Sequence, residues 1–119
     1  MIIDNKNNLL NLSFEFALII IDYSELLNQQ NNSIIAKQLL ISGTKLGANI
    51  REAQNSESKA DYINKLVIAL KEADKTEYWL ELCKYSNNKT FNENILKQLL
   101  EIKELSTKKI NSSIYKFKN

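Results

Sequence analysis

The amino-acid sequence predicts an all-α protein, an antiparallel up-down-up-down four-helix bundle, on the basis of three observations. The 119 residues include no proline and only two glycines, whereas an all-β fold needs turn residues about every 8–12 positions. Four amphipathic segments of helical length are separated by short polar stretches. Short connections place consecutive helices side by side in opposite directions, which is the up-down-up-down order.

The chain is predicted to form one domain, residues 1–119, because its length is that of a single globular unit. Residues 1–11 are rich in asparagine and are expected to be loose. The predicted helices follow polar residues that are suited to helix caps, namely Ser13, Ser33, Ser58 and Thr90. Their predicted spans are about 13–28, 34–54, 59–86 and 91–115.

The first helix carries apolar residues around much of its circumference. One row starts at Leu12, and a second row contains Phe14 and Leu18. A helix with two apolar faces is buried on two sides, and one of them can face another subunit. Phe14 and Leu18, with the adjacent aromatic residues Tyr78 and Trp79 of the third helix, are therefore predicted interface residues.

Gly43 and Gly47 lie four residues apart inside the second helix, where each costs about 0.5–1 kcal/mol relative to alanine. The pair predicts that a neighbouring helix passes very close to this face. Membrane helix dimers use the same spacing within an apolar 20-mer, which Lys37, Lys45 and Arg51 exclude here. Gly47→Leu is accordingly predicted to disrupt the contact by overpacking.

Glu77 is a carboxylate at an otherwise apolar position of the third helix. A buried charge needs a partner, and the predicted partners are Asn49, Lys65 or Arg51. The favoured interpretation is a polar clamp that fixes helix register. A metal or acid–base site is the alternative.

Glu52 and Glu72, taken with Glu77, invite comparison with di-iron bundles. Those bundles use carboxylates on four helices together with Glu-x-x-His pairs. This chain has no histidine, which excludes histidine-based catalysis and zinc sites with histidine ligands. A carboxylate-only metalloenzyme stays open as an alternative, but the sequence predicts no catalytic residue, metal or cofactor.

The single cysteine, Cys83, cannot form an internal disulfide and is predicted to be a small core residue in a cytoplasmic protein. The N-terminal residues lack the pattern of a signal peptide. The most apolar run, residues 16–21, is too short to cross a bilayer. No membrane contact is therefore expected.

The formal net charge is only +2, but the charges are unevenly distributed along the chain. Residues 1–86 carry 9 basic and 11 acidic side chains, whereas residues 87–119 carry 7 and 3. Lysines neutralise phosphates without reading bases, so this pattern predicts salt-sensitive binding of RNA or DNA. The candidate residues are Lys45, Arg51, Lys97, Lys103, Lys108, Lys109 and Lys116.

Several strings resemble the four helix bundle family of the 23S rRNA intervening-sequence protein. They are LSFEFA (12–17), QLLISGTKLGANIREA (38–53), KLVIALKEA (65–73) and TEYWL (76–80). The resemblance covers roughly residues 12–86. It implies a left-handed bundle that assembles into a ring-like homopentamer.

The same resemblance implies kinship with the accessory variability determinant protein of diversity-generating retroelements, a basic pentameric ring that binds nucleic acid and works with a reverse transcriptase. Some family members are encoded within insertions in large-subunit rRNA genes. The family brings no catalytic residues. Its polar signature is interpreted as structural and falls here on Ser42, Asn49, Glu52, Glu72 and Glu77.

Two functions follow as expectations. The first is an oligomeric, non-enzymatic protein that binds RNA or DNA, or a nucleic-acid enzyme such as a reverse transcriptase. The second is a scaffold or self-assembling ring without direct nucleic-acid contact.

Overall fold

A computed structural model of the protein describes residues 8–86 and 91–118, and the side chains of the last helix as far as residue 115. It contains four α-helices and, within these ranges, no strand. The helices are α1 (Asn8–Gln29), α2 (Ser33–Ala53), α3 (Lys59–Tyr85) and α4 (Glu93–Lys118). The predicted all-α class is confirmed.

The first helix begins at Asn8, five residues before the predicted cap Ser13. Ser13 is buried inside the helix and its hydroxyl donates to the backbone carbonyl of Leu10 at 3.1 Å. Leu9 is fully buried in the core, which explains the earlier start. The prediction that residues 8–11 are loose is therefore wrong, while residues 1–7 lie outside the described residues.

The turn between α1 and α2 is set by backbone hydrogen bonds. The amide of Asn32 donates to the carbonyl of Leu27 at 2.9 Å, and the amide of Asn31 donates to Asn28 at 3.1 Å. This is a Schellman ending, and Asn31 has the left-handed φ of 62° that the motif requires. Asparagine tolerates this conformation better than most residues.

The other two predicted caps that the structure describes have different outcomes. Ser58 caps α3 as predicted, because its hydroxyl accepts from the amide of Asp61 at 3.0 Å. Ser33 is already the first residue of α2, and the preceding Asn32 makes no side-chain capping bond. Thr90 lies outside the described residues.

The helices pack in a closed order. Helix α1 contacts α2 and α4, and α3 contacts the same two helices. Within the described ranges, α1 does not contact α3 and α2 does not contact α4. With short connections, this order is that of an up-down-up-down bundle, whose extents are 51 × 28 × 20 Å. The left-handed sense implied by the resemblance stays a prediction.

The core lies along the bundle axis and draws on all four helices. Its fully or almost fully buried members include Phe16, Ile20, Leu39, Leu46, Ile50, Leu66, Leu80, Leu99 and Ile102. Cys83 is also fully buried, as expected of a small core residue.

The two glycines differ in how closely α1 approaches them. A Cβ at Gly43 would lie 2.9 Å from Cγ2 of Ile20, closer than side chains tolerate. A Cβ at Gly47 would lie 3.4 Å from the carbonyl oxygen of Ser13 and 3.8 Å from Cβ of Ala17. The predicted close helix contact exists, but it is tightest at Gly43.

Candidate functional site

A lysine clamp joins α3 to α4. Nζ of Lys103 lies 2.8 Å from Oδ1 of Asp74 and 2.5 Å from Oε1 of Glu77. The side chains of Lys103 and Glu77 are about one quarter exposed, at 26% and 25%. The polar clamp predicted at Glu77 is thus present, with two carboxylates sharing one ammonium group.

The predicted partners of Glu77 are wrong, because Glu77 faces α4 and not Asn49, Lys65 or Arg51. Lys65 instead binds Glu52, with Nζ 3.2 Å from Oε2. The side-chain amide of Asn49 donates to the backbone carbonyl of Lys45, four residues earlier in the same helix, at 2.9 Å. The apolar positions around Glu77 indicate that its side chain faces the inside of the bundle. Two neighbouring helices contact this side of α3, so the sequence pattern does not identify which of them supplies the partner.

The clamp predicts a pH-dependent contribution to stability. Burial alone lowers the pKa of Lys103, but hydrogen bonds to Asp74 and Glu77, and their charges, outweigh it and raise the pKa above its ordinary value of 10.5. The stability that the clamp contributes is therefore complete below the pKa of Lys103 in the unfolded chain. It is lost as the pH rises through the higher pKa of Lys103 in the folded protein.

Lys103→Met is expected to lower the free energy of unfolding at pH 7 by about 1 kcal/mol or less, since the ion pairs are partly exposed. Urea titrations measure the effect, and the deficit should shrink above pH 10.5. Lys97→Met is the control, because Lys97 is exposed on the same helix. An equal deficit at neutral and alkaline pH would contradict the assignment.

A second polar contact lies inside the α2–α3 interface. Oγ1 of the fully buried Thr76 is 2.8 Å from Oγ of Ser42 and 2.8 Å from the carbonyl oxygen of Glu72. The Ser42 hydroxyl donates to the carbonyl of Gln38 at 3.0 Å, so the single proton of the Thr76 hydroxyl is shared between Ser42 Oγ and the carbonyl of Glu72. Ser42 therefore joins α2 to α3, and the structural role that the resemblance implies for it stays a prediction. The sequence did not point to Thr76.

The three carboxylates considered for a metal site each contact a different lysine. Glu52 is exposed and binds Lys65, whereas Glu72 is buried and lies 3.4 Å from Nζ of Lys75. Glu77 belongs to the clamp. In the parts of the chain that the structure describes, no three histidine, cysteine or acidic residues are grouped to hold a metal ion.

The candidate nucleic-acid residues do not form one patch. Lys45 and Arg51 are exposed on α2, whereas Lys97 and Lys108 are exposed on α4. Since α2 and α4 do not contact each other within the described residues, these two pairs lie on different faces of the bundle.

The α4 candidates differ in their surroundings. Lys103 is held by two carboxylates, which leaves little of its charge for a phosphate. Lys108 is exposed and pairs loosely with Glu104 at 3.2 Å. Lys109 is half-buried, and the side chain of Lys116 lies outside the described residues.

The predicted interface residues of α1 are apolar side chains that are exposed to solvent. Phe14 and Leu18 are 39% and 50% exposed, and Leu40 and Ile41 of α2 are exposed to a similar degree. A groove of about 530 Å³ opens between α1 and α2, with Gly47 in its wall. Apolar side chains left in solvent on two adjacent helices are typical of an interaction surface.

The aromatic pair of α3 is divided between core and solvent. Tyr78 is 57% exposed, while Trp79 is half-buried against the core. Their rings meet edge to face, with centroids 5.3 Å apart and an interplanar angle of 76°. Their role at an interface stays a prediction.

Several of the described polar residues therefore join helices, and the exposed features are an apolar groove and dispersed cations. None of the helices that the structure describes has the length and apolarity needed to cross a membrane. These properties define an all-α bundle whose function is expected to depend on its surfaces.

The chain belongs to the family of the 23S rRNA-intervening sequence protein, whose family model matches residues 5–112. It is also similar to the crystal structure of a protein with unknown function from the S23 ribosomal protein family of Bacteroides thetaiotaomicron VPI-5482. The two chains are 45% identical with a TM-score of 0.79, over 86% of this chain and 97% of the other. No curated protein matches this chain.

Proposed function

We propose that this protein is a non-enzymatic, self-associating helical bundle that acts in the cytoplasm as an accessory factor bound to RNA or DNA. The observation that carries the proposal is the basic excess of residues 87–119, with 7 basic and 3 acidic side chains. On the outer face of α4, Lys97 and Lys108 are exposed beside Glu101 and Glu104. The family description, which names an rRNA-intervening sequence and no reaction, supports it.

Self-association is part of the proposal because one copy presents few cations on any one face. A phosphate backbone is attracted by the summed field of many charges, so repeated copies of α4 would bind far more strongly than one. A ring such as the homopentamer implied by the resemblance would supply this repetition. A reverse transcriptase or another nucleic-acid enzyme is the further partner proposed.

The test is binding of fluorescent single-stranded RNA and DNA to the purified protein over a range of salt concentrations. Binding is expected at low salt and should weaken steeply as salt rises, because phosphate contacts release counterions. Lys97→Glu/Lys108→Glu is expected to weaken binding to all sequences and to lower the salt slope by about one for each cation removed.

The matched control is Lys71→Glu/Lys59→Glu, which changes the charge equally but on exposed positions of α3. It should bind nearly as the unmodified protein does. Equal losses in both double variants would contradict a role for α4, and absence of binding at low salt would overturn direct nucleic-acid contact altogether.

A scaffold or self-assembling ring without nucleic-acid contact is the second candidate. The exposed apolar side chains of α1 and α2, which include Phe14, Leu18, Leu40 and Ile41, favour it. Sedimentation analysis distinguishes the two: assembly without RNA or DNA binding supports the scaffold.

A further inference from the structure

The outer face of α1 is acidic. This helix has three carboxylates, Glu15, Asp22 and Glu25, and no lysine or arginine. All three are exposed, and they form no ion pair with any residue that the structure describes. At 100° per residue they share one side of the helix with the exposed Leu18.

The outer face of α2 is basic. Lys37 and Lys45 are exposed and lie on the same side of the helix as the exposed Ile41. In the described part of the chain, neither lysine takes part in an ion pair. Each of the two adjacent helices thus presents apolar side chains flanked by unpaired charge, and the charges have opposite signs.

These opposite charges also lie at matching heights along the bundle. Gly47 of α2 meets Ser13 of α1. From this contact, Glu15 is two residues further along α1, and Lys45 is two residues back along α2. Because the helices are antiparallel, these two residues lie at the same height.

The second charge pair lies at a similar height. Counted from the same contact, Glu25 is twelve residues further along α1, and twelve residues back along α2 is position 35, two residues from Lys37. Counted from the contact between Gly43 and Ile20, Glu25 is level with position 38. Each offset is a rise of about 3 Å or less, within the reach of a lysine side chain.

We propose that a second copy of this chain docks here, with the outer face of α1 of one copy against the outer face of α2 of the next. Rotation about an axis parallel to the bundle preserves height, so Glu15 meets Lys45 and Glu25 meets Lys37 across the contact. Leu18 and Ile41 pack between these charge pairs.

The contact is head-to-tail, so every copy uses both faces and the assembly can close into a ring. The inference rests on the self-association in the proposed function and identifies its surface. It assigns Lys45 to contacts between copies and leaves the α4 cations for phosphate.

The experiment is a charge exchange followed by sedimentation velocity. Glu15→Lys/Glu25→Lys and Lys37→Glu/Lys45→Glu are each expected to lower the association constant by about tenfold or more, because like charges then face each other. The chain that carries all four substitutions should recover association to within about threefold of the unmodified protein. An equimolar mixture of the two double variants should also associate.

Glu101→Lys and Lys71→Glu are controls, since both residues are exposed on the other two helices and form no described ion pair. They should leave association unchanged, and circular dichroism should show that every variant is folded. Failure of the exchanged chain to recover, or an unmodified protein that is monomeric at every concentration, would overturn the proposal.

Nucleic-acid binding is measured separately on the same samples. Assembly that follows the charge exchange, without RNA or DNA binding, supports this contact and removes only the nucleic-acid part of the proposed function. RNA or DNA binding by a protein that stays monomeric supports the nucleic-acid part of the proposed function and overturns this contact.

Discussion

Gly43→Ala is expected to destabilise the protein by about 1–2 kcal/mol. The added Cβ would lie 2.9 Å from Cγ2 and 3.3 Å from Cβ of Ile20. Ile20 is fully buried and branched at Cβ, so it has little freedom to turn away inside a helix. The overpacking cost, about 1–3 kcal/mol, exceeds the gain of up to about 1 kcal/mol from removing a helical glycine.

Gly47→Ala is the matched control, because its Cβ would make ordinary contacts with Ser13 and Ala17. We expect it to stabilise the protein by about 0.5–1 kcal/mol. Thermal and urea unfolding of the two variants would measure the difference. Equal effects of the two substitutions would contradict the packing that the structure shows.

A double variant isolates the contact. Ile20→Ala alone is expected to cost about 2–5 kcal/mol, because it leaves a cavity in the core. In that background Gly43→Ala should cost much less, since Cγ1 and Cγ2 of residue 20 are gone and only its Cβ, 3.3 Å away, remains. Additive losses would show that Gly43→Ala acts through some other contact.

Thr76→Val is expected to cost about 1–3 kcal/mol with little change in side-chain volume. Thr76 is fully buried, and its hydroxyl lies 2.8 Å from both Ser42 Oγ and the carbonyl oxygen of Glu72. Valine removes the donor to both atoms and places a methyl group against Ser42 Oγ in a dry interface. Urea unfolding at pH 7 would measure the loss.

Thr76→Ser keeps the hydroxyl and is the control, with a loss limited to one methyl group. Ser42→Ala combined with Thr76→Val should be less destabilising than Thr76→Val alone, because neither partner is then unsatisfied. A double variant whose loss equals the sum of the single losses would contradict the assigned bond.

Much of the local structure was predictable from the sequence because helix periodicity and capping are local properties. The number of helices was predicted, and so was the cap formed by Ser58 and Asp61. The start of α1 was missed because Asn11 and Ser13 are polar. Both are buried in the structure, where burial of Leu9 makes the earlier start favourable.

The candidate site was less predictable. The position of Glu77 in an apolar seam showed that it needs a partner, but the partner, Lys103, lies 26 residues away on α4. Because Lys103 belongs to this clamp, it is not among the exposed candidate residues for binding nucleic acid. The other candidates lie on α2 and α4, and the order of lysines along the sequence does not show that these helices present different faces.

By itself the sequence determined that the chain forms amphipathic helices and has no histidine for catalysis, since both properties depend only on residue types and their spacing. Tertiary structure alone decided that α1 packs more tightly at Gly43 than at Gly47 and that Glu77 binds Lys103. It also decided that acidic residues of α1 and basic residues of α2 lie at similar heights. These outcomes depend on the rotation and axial shift of each helix relative to its neighbours, and packing of the whole core sets both quantities.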